Sequence, residues 1–327
     1  EGDTLVVETK NLNGKTWLNE AGEIVSHAET VVERFIPVNA DRIRYEATVT
    51  DPLVYTRPWT IGVNFNRQAD GELLEVACLE DDEDAKHLKD IKDAARAAED
   101  WHATDAILLP LYPQYSTTTT ASSLKAWNQA TTLPSSTICC YPLGAKFAQA
   151  HADAILETWR NAGSPPNPRI LFSAHGLPQR VIDRGDPYQW QDTQSVSSVC
   201  RLLPPEWQKR TCYQSRVGPM KWLGPSTEQE IRAAARDKIG VIVSPIAFVS
   251  EHVETLVELD IEYAHLAQRL KIPFYLRAPA LGATPHFIDA LADLVETALA
   301  RPGELHSERG GRLCLPQFGL CAHGSGR

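Results

Sequence analysis

Residues 169–178 read RILFSAHGLP. Ile170, Leu171 and Phe172 form a short apolar run that opens, past Ser173 and Ala174, into His175 and a Gly-Leu-Pro loop. A run this short, closed by Gly and Pro, fits a strand covered on both faces. The same grammar recurs in DAILLPLYP (105–113), IGVIVSPIAF (239–248) and IPFYLRAPA (272–280). Helical patterns lie between the runs: AKFAQAHADAILETWRNA (145–162), QDTQSVSSVCRLL (191–203) and STEQEIRAAARDK (226–238). The last opens on a capping box, Ser226 with Gln229 three residues on. Such alternation predicts an α/β region over residues 102–327, a mostly parallel sheet flanked by helices. Ligands of these folds bind outside the carboxyl ends of the strands, so the polar residues just after each run are the candidates for chemistry.

Residues 1–79 follow a different rule. RIRYEATVT (42–50) alternates, with Ile43, Tyr45, Ala47 and Val49 on one face and Arg44, Glu46, Thr48 and Thr50 on the other. LVVET, VVERFIPV, WTIGVNFNR and LLEVACL are similar runs, separated by turn formers that include Asn13-Gly14, EAGE and NADR. A small antiparallel β module with one wet face is expected, and no catalytic cluster is visible in it. This module resembles a repetitive, uncharacterised bacterial β-rich family to which no activity attaches. Residues 80–101, rich in charge and Ala, read as a charged helical linker.

The chain of 327 residues carries 42 acidic against 32 basic side chains, a net charge of −10. That balance argues against nucleic acid as a partner. No apolar run approaches the ~18 residues of a membrane span. The first residue is Glu1 and Met220 is the single methionine, so the sequence is expected to be a fragment. Seven scattered cysteines, an odd number, point to free thiols in a reducing compartment. Cys314 and Cys321 offer two soft ligands where a cluster needs four, and idle thiols are the expectation.

Three strand-end features stand out. His175 ends the run quoted above. In FVSEHVETLVELDIEY (248–263), Glu254, Glu258 and Glu262 recur at every fourth position, beside His252 and with no Lys or Arg between them. Like charges so spaced cost a free helix roughly 0.2–0.5 kcal/mol per pair. Trp222 lies in the Gly- and Pro-rich loop of CYQSRVGPMKWLGPST (212–227), as core packing or as a platform for a ligand ring. An imidazole, a line of carboxylates and an aromatic wall suit a divalent cation or moving protons.

Taken in order, LLPLYPQYSTTTTASSLKAW (108–127), ILFSAHGLP (170–178), GDPYQ (185–189), CYQSRVGPMKWLGPST and PIAFVSEHVETLVELDIEY (245–263) closely resemble ferrochelatase from residue 101 onward. The resemblance implies a lyase of heme biosynthesis that inserts Fe²⁺ into protoporphyrin IX and releases two protons. It places His175 and Glu254 across the porphyrin centre as catalytic and metal-contacting residues. Glu258 and Glu262 then line a path to solvent on a helix widened to a π-type turn. Leu177, Pro178, Val217 and Trp222 fall on porphyrin-pocket positions. Fe²⁺ is substrate and no cofactor is implied. A [2Fe-2S] cluster is not expected, because Thr117 stands where some cluster-bearing members have a ligand. A cytoplasmic site is implied, with peripheral contact at the inner membrane face and the oligomeric state left open. Relative to the family, the second α/β domain is complete, and the first is truncated and replaced by the β module. The competing reading is a non-catalytic tetrapyrrole- or metal-binding remnant. A chelatase for a sirohydrochlorin-type ring fits the motif set less well.

Overall fold

The structure, a computed structural model, describes residues 3–10, 25–66, 80–215, 220–252 and 255–324, with side chains throughout except at 66 and 80–89. The LLEVACL run, the Asn13-Gly14 and EAGE turns, Val217 and Glu254 lie outside the described residues. The chain divides into two compact units, Glu1–Glu75 and Val76–Arg327.

The first unit is a four-stranded antiparallel sheet in chain order: β1 (Leu5–Thr9), β2 (Thr30–Asn39), β3 (Arg42–Thr50) and β4 (Trp59–Asn66). The period-2 pattern of β3 sets its faces. Tyr45 stands opposite Phe35 and Val63 in the ladder, and its ring lies 5.0 Å from Phe35 and 5.7 Å from Phe65. Ala47 and Val49 on the same face are buried. On the other face the Thr48 and Thr60 hydroxyls pair at 2.9 Å, so that face is polar as expected.

In the second unit the charged stretch forms helix α1 (Glu80–Asp100), which packs along α2 (Thr120–Ala130) and buries Ala95. Around these elements stand β5 (Ala106–Leu108), β6 (Ser135–Cys140), α3 (Ala145–Asn161), β7 (Arg169–His175), α4 (Gln179–Asp183), α5 (Tyr188–Cys200) and β8 (Gln208–Gln214). There follow α6 (Thr227–Asp237), β9 (Val241–Pro245), a π-helix (Leu256–Glu262), α7 (Tyr263–Arg269), β10 (Tyr275–Arg277), α8 (Pro285–Leu299) and β11 (Leu305–Ser307). Two all-parallel sheets result, ordered β10-β9-β7-β8 and β11-β6-β5.

The continuous apolar run of β7 is explained by cover on both faces. Ile170, Phe172 and Ala174 pack with Ile155, Val196 and Val199 of α3 and α5. Leu171, between them in sequence, packs with Ile231, Ala234 and Leu266 of α6 and α7. Each of the Ile, Leu, Phe and Val side chains among them, withdrawn from water, contributes roughly 1.5–3 kcal/mol before entropic costs. The predicted capping box is present at α6: the Gln229 amide donates to Ser226 Oγ at 3.1 Å and the Ser226 amide to Gln229 Oε1 at 2.8 Å. No helix among the described residues is long and apolar enough to cross a membrane.

Two joints hold distant motifs together. Asp186, fully buried, accepts from Ser116 Oγ, from the Thr117 amide and hydroxyl (2.7 Å each) and from the Tyr188 amide, tying GDPYQ to YPQYST. Glu308, just past β11, accepts the Leu143 amide at 2.8 Å and so serves the N-terminus of α3, whose N-cap Gly144 has no side chain to do it. Burial pushes the Glu308 carboxyl up to about 7 from the ordinary 4.5, against the lowering effect of that amide.

The folded state therefore holds the Glu308 proton across pH 4.5 to 7, where the unfolded chain releases it. This contribution is complete below about 4.5 and is lost as pH rises through 7. Replacing Glu308→Gln should flatten the fall in melting temperature across that window, and an unchanged slope would remove Glu308 as its source. A Cβ on Gly240 would lie 2.2 Å from the Phe274 ring. Gly240→Ala is thus expected to lower stability by roughly 1–3 kcal/mol by overpacking, measured by urea unfolding.

Candidate active site at the strand ends

The carboxyl ends of β7, β8 and β9 share one rim, because the three strands are parallel neighbours. His175 is the last residue of β7 and is opposite Gln214, the last residue of β8. The His175 backbone carbonyl accepts from Tyr188 Oη at 3.0 Å, which anchors the strand end from below. Its imidazole is half-buried and faces the Phe248 ring, 6.0 Å away and inclined at 69°. Phe248 follows β9 and is also 6.4 Å from the His252 ring. His252 itself pairs with Ser250 Oγ at 3.1 Å.

The acidic stripe comes to this rim through Gln214. Ser173 Oγ donates to Gln214 Oε1 at 2.7 Å, and Gln214 Nε2 donates to Glu258 at 3.0 Å. The Ser173 bond fixes which end of the carboxamide faces the glutamate. Ser215 adds its amide at 3.1 Å and its hydroxyl at 2.9 Å, so Glu258 accepts three bonds from neutral donors. Glu262, at the far end of the π-helix, is exposed. Hydrogen bonding of the i→i+5 type turns less per residue than an α-helix does, which brings positions four apart closer to one line.

The aromatic wall forms by loop pairing. Pro178 and Trp222 make an antiparallel bridge, flanked by Leu223 N to Leu177 O at 2.9 Å and Gln179 N to Lys221 O at 2.8 Å. Trp222 is half-buried, while Leu177 is 3% exposed and packs into the core. The structure thus brings His175 at the end of β7, Glu258 of the π-helix, and Pro178 and Trp222 of the paired loops to one rim. Beside it, a cavity of about 530 Å³ lies between α1, α2, the end of β5 and residues 247–252, lined by Leu111, Tyr112, Trp127 and Phe248 among others.

Sequence reading passed over Gln214 and Ser215, although the first ends strand β8 and the second stands just past it, inside a quoted motif. It also missed that the thiols converge. Cys139 and Cys140 lie 3.3 Å apart, and Gln191, which accepts the Tyr115 amide, donates to Cys314 at 3.1 Å. Cys314 donates to Cys321, which is lowered to about 6, with Arg312 and His323 assisting. Cys139, Cys140, Cys314 and Cys321 are free thiols. Among the described residues no group of three or more His, Cys, Asp or Glu is arranged to hold a metal ion.

The ferrochelatase family profile matches residues 88–299. The chain is 52% identical to a ferrochelatase of Phenylobacterium zucineum over 233 residues, 71% of this chain and 67% of that protein. It is 48% identical to one from Hyphomonas neptunium (70% and 64%) and 43% identical to one from Rickettsia prowazekii (70% and 67%). It therefore spans about two thirds of the length of these relatives. The profile match takes in the whole rim from Leu111 to Glu262, and the chain belongs to the ferrochelatase family.

Proposed function

We propose that the second unit inserts Fe²⁺ into protoporphyrin IX, giving protoheme and two protons. The observation that carries this reading is the meeting of His175, at the end of β7, with a carboxylate-bearing π-helix held to the end of β8 through Gln214. A macrocycle docked on this rim places its pyrrole nitrogens near the imidazole. Apolar contact with Phe248, Trp222 and the adjoining cavity supplies binding energy, part of which bends the ring and exposes the nitrogen lone pairs.

The proton balance is simple. Each of two pyrrole N–H bonds breaks, its electron pair stays on nitrogen and becomes a metal bond, and the proton leaves. Neutral His175 takes these protons one at a time. Glu254, Glu258 and Glu262 pass them to solvent or strip water from the entering iron. Leu177, Pro178 and Val217 shape the pocket. The name carried by the relatives and the rim chemistry support this reading. A cytoplasmic setting, with porphyrin delivered near the inner membrane face, fits the free thiols.

Purified protein mixed with protoporphyrin and Fe²⁺, or with Zn²⁺ as a spectroscopic stand-in, should yield the absorbance of the metallated ring. His175→Ala should cut the rate by about 10²–10⁴, the usual worth of a positioned base, while porphyrin binding by fluorescence stays measurable. A variant that matches the parent rate rules out His175 as the base. Porphyrin binding by the parent without any turnover would make the chain a tetrapyrrole-binding remnant. Glu258→Gln, which keeps the volume and removes the charge, should slow insertion at saturating porphyrin and leave the porphyrin affinity within about twofold.

A further inference from the structure

A π-helix is rare and is normally confined to one turn. Here it runs for seven residues, Leu256–Glu262. Such a register needs support from outside the helix, and three consecutive residues receive it. Glu258 is held by Gln214 and Ser215 at the end of β8. The Leu259 carbonyl accepts from Tyr275 Oη at 2.6 Å. The Asp260 carboxylate accepts two parallel bonds from Arg277, Nε to Oδ1 and Nη2 to Oδ2, each 2.7 Å.

Tyr275 and Arg277 are two apart on β10, so one edge strand presents both from the same face. Arg277 also reaches Glu251 at 2.5 Å, and Glu251 accepts the Ala280 amide at 2.9 Å. One guanidinium, its side chain only 15% exposed, thus binds both the approach to the acidic helix and its middle. Two-pronged pairing of this kind fixes orientation as well as distance, and an ammonium cannot copy it. The gripped residues, 259 and 260, lie between Glu258 and Glu262. Rewinding the turn to α-helical register would rotate those carboxylates relative to each other and would break a bond to at least one strand.

We propose that Arg277, acting with Tyr275, is a positioning residue for metal insertion: it locks the widened register that lines Glu262 up with Glu258, the glutamate held to the rim by Gln214. This rests on the metal-insertion reading above, and its test separates the two. Arg277→Lys keeps the charge and loses the fork, and Tyr275→Phe removes a single hydroxyl. Amide deuterium exchange over residues 256–262 should quicken several-fold in both variants. In Zn²⁺ insertion, kcat per porphyrin-binding site should fall roughly tenfold or more, as misplacement on this scale predicts. The KM for porphyrin should stay within about twofold, a split that general unfolding does not produce. Parental exchange in both variants, or parental kcat, overturns the proposal. If the parent protein itself inserts no metal, the functional reading fails on its own. Exchange then decides together with Zn²⁺ affinity: faster exchange with weakened binding sustains the lock, and parental values of either refute it.

Discussion

The Gln214 carboxamide is the hinge of this architecture. Its oxygen accepts from Ser173, inside the fully buried core of β7, and its nitrogen donates to Glu258 on the π-helix. A buried amide with both ends engaged cannot turn over without stranding two partners, each costing roughly 1–3 kcal/mol. The position of the acidic helix is thereby referred to two parallel strands, β8 and its neighbour β7, whose apolar residues are covered on both faces. His175 takes its position from the same strands. Imidazole and carboxylate therefore share one frame of reference, although they come from segments far apart in sequence.

The row of glutamates looked like a liability when read as an ordinary helix, because nothing along the helix offsets its charge. The compensation lies off the helix. Ser215 and Gln214 serve Glu258 with neutral donors, and Arg277 draws on Asp260 and Glu251, the acids that point elsewhere. Arg277 thus offsets the charge of the two acids that flank the glutamate stripe.

Much of this was legible in the residues. The four apolar runs became β5, β7, β9 and β10, and the alternation of β3 gave its faces correctly, since each pattern reflects burial on two sides or one. Strands β6 and β8 were not recognised. SSTICC carries hydroxyls and thiols where an apolar run was sought, and QKRTCYQ begins with charges that reach solvent before the strand enters the core. Gln214 was invisible for a related reason: a glutamine gains its meaning from what lies at each end, and neither partner is near it in sequence. The meeting of the thiols was hidden likewise, because Cys139-Cys140 and the Cys314–Cys321 loop come together through long-range contacts, among them the pairing of β11 with β6 and the Gln191 bond to Cys314.

That last pairing bears on how the molecule is made. The sheet that carries His175 has all its strands by Arg277, so it can close while the rest of the chain is still leaving the ribosome. The other sheet cannot: its edge strand β11 begins at Leu305, and the glutamate that serves α3 comes later still. Vectorial synthesis thus offers the strands of the rim before its neighbouring sheet can gain its edge strand β11, so the two sheets are completed in that order.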